Sequence, residues 1–238
     1  MVKNRNTKPN NDAPVSKREF TKIKKVIPRN ENQAKYLEAV EDNCLTIASG
    51  PAGTGKTHLA VYEAICHHFS KKYKRIIITR PAVEAGGEKL GFLPGELQDK
   101  LDPYLRPIFD SLYELIGVDQ TREKIQRGYI EIAPLAFMRG RTFNNCFVIL
   151  DEAQNATLEQ LEMLVTRIGE NSKMVINGDP KQTDLVYKNK NSGLKIIQRI
   201  AQDIPDVAVI EFEATDIVRS QVVSHLVQAF EKYEKEKV

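Results

Sequence analysis

Three short polar stretches carry residue types that do chemistry only in company: GPAGTGKT at 50–57, DEAQN at 151–155 and GDPKQTD at 178–184. In the first, Gly50, Pro51, Ala52, Gly53, Thr54 and Gly55 lead to Lys56 and Thr57, matching the pattern G-x-x-x-x-G-K-[ST] between an apolar run and a helical one. In that position backbone N–H groups, the positive end of a helix and a lysine together cradle phosphates. Lys56 would reach the outer phosphates, and Thr57 would offer its hydroxyl to Mg2+. Pro51 and Ala52 carry no charge and shape the loop; His58, next along the helix, is counted with the nucleotide-binding residues. The bland alternative is a glycine-rich turn of no function.

Asp151 and Glu152 end the apolar run FVIL, the arrangement of a Walker B site. Asp151 would hold the Mg2+ complex and Glu152 would orient the attacking water; an Asp-Glu helix cap is the alternative. The third loop also follows an apolar run. Gln182 both donates and accepts, so it could touch a terminal phosphate and a water together. A plain turn started by Asp179-Pro180, with Lys181 solvated, explains the same residues without a ligand.

These loops need elements to hold them. Five apolar runs, at 44–49, 75–79, 146–150, 173–177 and 207–212, are rich in Ile and Val and alternate with helical spacing, clearest at 30–42, 57–70, 157–169 and 217–233. Unbroken apolar strands separated by helices predict a mostly parallel five-stranded α/β sheet covered on both faces. The stripe Val218, Val222, Val223, Leu226, Val227, Phe230 and Tyr233 predicts a core-facing surface on the last helix. Residues 81–145 read as an insertion in which Pro103 and Pro107 interrupt the helical spacing and a strand near 128–134 pairs locally. The domain division expected is a basic, flexible arm at 1–27 followed by one domain over 28–238.

With 238 residues, 41% hydrophobic and 28% charged, the chain has the composition of a globular protein rather than a disordered one. No apolar run is long enough to span a membrane, no signal peptide opens the chain, and the odd number of cysteines suggests neither a disulfide framework nor a zinc site. A cytoplasmic setting without a membrane partner is expected. The four histidines lie on helical segments without ligand spacing from a second cluster, so no histidine-held metal is expected. Residues 1–27 carry eight Lys or Arg against two acids, a local balance of +6 in a chain whose total is +3. Such an arm could track nucleic-acid phosphates, and a solvated tail would look the same.

Taken together, GPAGTGKTHLA, TRPAVEAGGEKLGFLPGEL, DPYLRPIFDSL, APLAFMRGRTF, VILDEAQN, TRIG, GDPKQTDL and NSGL resemble the PhoH-like family of P-loop ATPases, themselves similar to the first motor domain of superfamily 1 helicases. The resemblance covers roughly residues 28–233. It implies a RecA-like sheet with the order 207–212, 44–49, 173–177, 146–150, 75–79, the GDPKQTD strand lying between those of the P-loop and Walker B. It further implies that Gln182 senses the terminal phosphate and that Gln33 recognises adenine, although Gln33 also reads as an ordinary surface helix residue. Thr79, Arg80 and Pro81 resemble a motif that contacts nucleic-acid backbone, while Arg80 could equally neutralise a strand end.

No second P-loop-like sheet is present to supply a transition-state arginine. Arg219, in ATDIVRS where Ser220 replaces the family's usual histidine, is then a candidate finger for a neighbouring subunit, implying a homo-oligomer such as a hexameric ring. Arg139 and Arg141 are rivals, and pairing with acids is the alternative for all three. A PIN nuclease domain, carried by some members, is not expected in these 238 residues, nor is nuclease activity. The leading reading is Mg2+-dependent ATP hydrolysis coupled to RNA or single-stranded DNA. A P-loop kinase of a small acceptor and a nucleotide-dependent protein-interaction module are the alternatives.

Overall fold

The computed structural model describes residues 23–81, 97–185 and 192–218, the backbone alone over 97–104, together with Val222, Leu226, Ala229 and Tyr233. Most of the basic arm, the TRPAVEAGG segment beyond Pro81 and Arg219 lie outside the described residues.

Six strands form one parallel sheet: β1 (Leu45–Ser49), β2 (Arg75–Arg80), β3 (Ile130–Pro134), β4 (Cys146–Leu150), β5 (Lys173–Gly178) and β6 (Val207–Glu211), in the order β3-β2-β4-β5-β1-β6. The expected order is borne out for five strands, with β5 between β1 and β4. Among the described residues the count is corrected to six. The strand near 128–134 does not pair locally but joins the sheet edge, matching Ile76 to Ile130 and Ile78 to Ile132 in parallel register. Parallel pairing requires a crossover, so α3 (Leu97–Ile116) and α4 (Val118–Gln126) connect β2 to β3 rather than forming an appendage. Pro103 and Pro107 do not break α3 either. The helix bears Leu105, Ile108, Leu112 and Leu115 at helical spacing, all buried in the core.

The core has two halves because successive strand side chains point to opposite faces. Ile76, Ile78, Phe147, Ile149 and Val175 face α1 (Glu31–Asp42), α2 (Lys56–Phe69) and α3, while Ile77, Val148, Leu150, Met174 and Ile176 face α5 (Leu158–Val165) and α6 (Leu194–Ala201). Each fully buried branched or aromatic side chain contributes about 1.5–3 kcal/mol. The sheet is thus held from both sides and its carboxyl edge is a rigid platform.

Thr157 caps α5 through a reciprocal bond pair with Gln160, so the helix starts there and not at the Asp-Glu pair. In the last apolar stripe Val222 is 67% exposed and Leu226 and Tyr233 are more than half exposed, against expectation, while Val223, Val227 and Phe230 lie outside the described residues. Residue 23 onward is already docked, with Ile23 and Val26 against the core and the Lys24 N–H donating to Leu115 O at 3.0 Å.

Candidate functional site

Strands β1, β2, β4 and β5 end together, and their loops surround a cleft of about 290 Å³. The P-loop is shaped by left-handed turns at Gly53 and Gly55, both with φ of 87°. At Gly50 (φ 142°) any Cβ would lie 2.4 Å from Phe212 O. Gly55 caps α2 without a side chain, and no acid occupies the first helical turn. The first-turn N–H groups therefore meet no internal anion, and the helix dipole favours an external one. Lys56 is buried, with Nζ donating to Gly50 O (2.7 Å), Pro51 O (2.9 Å) and Thr54 Oγ1 (3.1 Å). Burial pushes its pKa down, while Asp179, Asp151 and Glu152 act in the opposite direction.

Asp151 and its neighbour Glu152 meet this loop directly. Thr57 Oγ1 donates to Asp151 Oδ1 at 2.7 Å, bringing a hydroxyl and a buried carboxylate, both hard oxygens, to one point. The other Asp151 oxygen accepts from Arg80, through Nε at 2.9 Å and through Nη2. Glu152 sits in the left-handed region (φ 58°, ψ 39°), a conformation that concentrates at functional sites. Its carboxyl is raised by burial and by the adjacent Asp151.

A fixed brace joins this segment to the third loop. Gln154, 1% exposed, donates from Nε2 to Glu152 Oε2 at 2.5 Å, while its Oε1 accepts from the Asp179 N–H at 2.9 Å. Its carbonyl accepts from Thr183 Oγ1 (3.0 Å), and Asn155 Oδ1 accepts from the Asp184 N–H (2.8 Å). Gly178 makes room for this, since a Cβ there would meet Gln154 Oε1 at 2.9 Å. Asp179 is buried and Gln182 is exposed at the cleft, its N–H donating to Asp179 O at 3.0 Å.

A family model described as PhoH-like protein matches residues 25–231. The chain belongs to the PhoH-like protein family. It is 47% identical over 212 residues to a PhoH-like protein of Mycobacterium tuberculosis (strain ATCC 25618 / H37Rv), covering 89% of this chain and 60% of that one. It is 48% identical over 211 residues to a PhoH-like protein of Bacillus subtilis (strain 168), covering 89% and 66%. To Protein PhoH of Escherichia coli (strain K12) it is 42% identical over 208 residues, covering 86% and 58%. The chain thus spans about three fifths of the length of the curated relatives it matches. Among solved structures, the large terminase from a thermophilic bacteriophage overlays with a TM-score of 0.51 at 14% identity, covering 84% of this chain and 48% of that one. That likeness concerns the fold. Among the described residues no helix is long and apolar enough to cross a membrane.

In this PhoH-like chain the cleft gathers Ala52, Gly53, Gly55, Lys56, Thr57, His58, Asp151, Glu152 and Gln182 from the residues expected at the site. Gly50, Pro51 and Thr54 build the loop from behind. Gln33 also lies behind it, buried, with Nε2 donating to Thr54 O (2.9 Å) and Oε1 accepting from the Arg29 N–H (2.8 Å). Arg141 is paired in fork geometry with Glu131 (2.6 and 2.8 Å) and lies over the Phe143 ring, and Arg139 is exposed. Sequence reasoning passed over Gln154 and left Arg80 undecided. Gln154 stands two residues beyond Glu152, a position that no spacing rule distinguishes from an ordinary turn amide.

Proposed function

We propose that the chain binds ATP and hydrolyses it with Mg2+. The contact that carries this reading is the 2.7 Å bond between Thr57 and Asp151, because it unites the P-loop and the Walker B strand at a pair of oxygens suited to Mg2+. Thr57 and Asp151 would hold the ion, which would neutralise phosphate charge. Lys56 and the loop amides hold the phosphates. Glu152 orients a water and accepts its proton as the water oxygen bonds to the terminal phosphorus; the bond to the bridging oxygen breaks, and ADP and phosphate leave. Gln182, exposed at the cleft, contacts the terminal phosphate. Since both faces of the Gln33 amide are engaged by Arg29 and Thr54, its contact with adenine requires exchange of one of these bonds.

RNA or single-stranded DNA is the proposed partner, with the basic arm as its electrostatic guide. The proposed assembly is a homo-oligomer in which Arg219 serves a neighbouring nucleotide. Val218, one residue before Arg219, donates its N–H to Gly53 O of the same chain at 2.9 Å, which favours, as the second reading, an arginine serving its own subunit's phosphates. The decisive measurement is phosphate release with ATP alone, with single-stranded RNA and with single-stranded DNA. Glu152→Gln should lose hydrolysis on the order of 100-fold or more while still binding ATP; full-rate turnover by that variant would overturn the assignment. Release only with a small acceptor would favour a kinase instead. Mixing Lys56→Ala with Arg219→Ala restores activity only if the arginine acts between subunits.

A further inference from the structure

We propose that Glu41, Glu63 and His67 form a binding site for a divalent transition-metal ion, separate from the nucleotide cleft, that clasps the end of α1 to the end of α2. Glu63 and His67 stand one turn apart in the last part of α2, and Glu41 is the penultimate residue of α1. One donor atom from each lies within 4.8 Å of the others.

The decisive detail is the direction of the His67 contact. Nε2 is buried and lies 2.9 Å from Glu41 Oε2 and 3.7 Å from Glu63 Oε2, yet it has no hydrogen-bond partner. The Glu41 oxygen is close enough for a hydrogen bond but lies off the axis of the ring N–H. Two donor atoms about 3 Å apart that form no hydrogen bond with one another have the separation of neighbouring ligands, because bonds of about 2.0–2.2 Å to one ion set that distance. The ring cannot turn away to find another partner. It is stacked on Phe147 at 5.7 Å and meets the edge of Tyr73 at 5.5 Å.

One imidazole and two carboxylates suit Zn2+ and its first-row neighbours better than Mg2+ or Ca2+, which take oxygens alone. Two cations face the cluster. Lys72 donates to the other Glu41 oxygen at 2.9 Å, so it orients Oε2 toward His67 as outer partners of ligating carboxylates do. Lys173 is committed to backbone, its ammonium donating to Val40 O, Glu41 O and Asn43 O. Glu41 is half exposed, which gives an ion a path from solvent. Along α2, His67 is about 16 Å from Lys56 at 1.5 Å per residue, so this ion is not that of the nucleotide. An ion here ties together the far ends of the two helices whose near ends hold Gln33 and Lys56.

The test uses the full chain, stripped with chelator and titrated without nucleotide with Zn2+ or Co2+, following bound metal by dialysis and elemental analysis and stability by melting temperature. Wild type and Thr57→Ala should each bind one equivalent and melt at higher temperature with metal. His67→Gln and Glu63→Gln should bind about tenfold or more weakly and lose the melting shift. Should His67→Gln fail to fold, Glu41→Gln, at a half-exposed side chain, tests the same ligand set. The Co2+ spectrum should lack a thiolate charge-transfer band. No binding by wild type, undiminished binding by the ligand variants, or a thiolate band from the exposed Cys44 would each overturn the proposal.

Discussion

Gln154 uses both ends of one amide, restraining the Glu152 carboxylate with its nitrogen and the Asp179 backbone with its oxygen. On the proposed mechanism it is a positioning residue that sets the distance between Glu152 and the loop bearing Gln182. Gln154→Leu should lower kcat for ATP hydrolysis on the order of 10- to 100-fold with KM little changed, since misplacing a catalytic group costs rate more than binding. An equal rise in KM would assign the residue to binding instead. Gly50 gives a second prediction at this scale. Gly50→Ala adds a Cβ 2.4 Å from Phe212 O at a φ of 142°. We expect a loss of roughly 2–4 kcal/mol in urea unfolding, independent of any ligand.

Elements differ in how they are secured. Thr157→Ala removes the cap of α5 and should cost about 1 kcal/mol, measured as a shift of the urea midpoint. The α1–α2 contact responds to pH instead. With metal ions chelated, burial pushes the Glu63 carboxyl up to about 7 from its ordinary 4.5, against the pull of Lys173 and Lys72 and with the push of Glu41. The unfolded chain releases this proton near 4.5 and the folded chain keeps it until about 7, so the contribution of Glu63 to stability falls as pH rises through that window. Comparing wild type with Glu63→Gln at pH 5 and pH 8 isolates the effect. The variant should gain on the order of 1–3 kcal/mol relative to wild type at the higher pH.

At this same scale, some elements could be read in the chain and others could not. The runs at 44–49 and 146–150 and the glycine spacing of 50–57 are local signals, set by strand burial and by the positive φ values that glycine tolerates, and they located the cleft. The membership of β3 in the main sheet was hidden, because Ile130 finds Ile76 far along the chain and nothing local encodes that register. The continuity of α3 through two prolines was hidden as well, since buried apolar contacts offset a breaker that local propensity counts in full. The Glu41, Glu63 and His67 group escaped for a third reason. Only Glu63 and His67 are periodic on one helix; Glu41 arrives from α1.

For the whole molecule, the two-sided core makes the sheet the rigid body and leaves the carboxyl edge to carry the candidate site. Deleting residues 1–22 should leave the melting temperature within about 2 °C of the full chain, an effect of a few tenths of a kcal/mol, because Ile23, Lys24 and Val26, which the deletion keeps, already tie this end of the chain to the core. The same deletion should weaken binding to single-stranded RNA and flatten its salt dependence; a melting temperature lowered well beyond that would show the arm to be structural.

Val218 stands where the chain leaves β6 and its short 3-10 turn, and its one amide reaches across to the carbonyl of Gly53. That bond makes the C-terminal segment a lever whose fulcrum is the phosphate loop. A load placed on the residues beyond, by a neighbouring copy or a bound strand, would reach Gly53 through this bond and α1 through the bonds that Asn30 and Asn32 make to Asp216. The exchange rate of the Val218 amide proton would then be a gauge of that load.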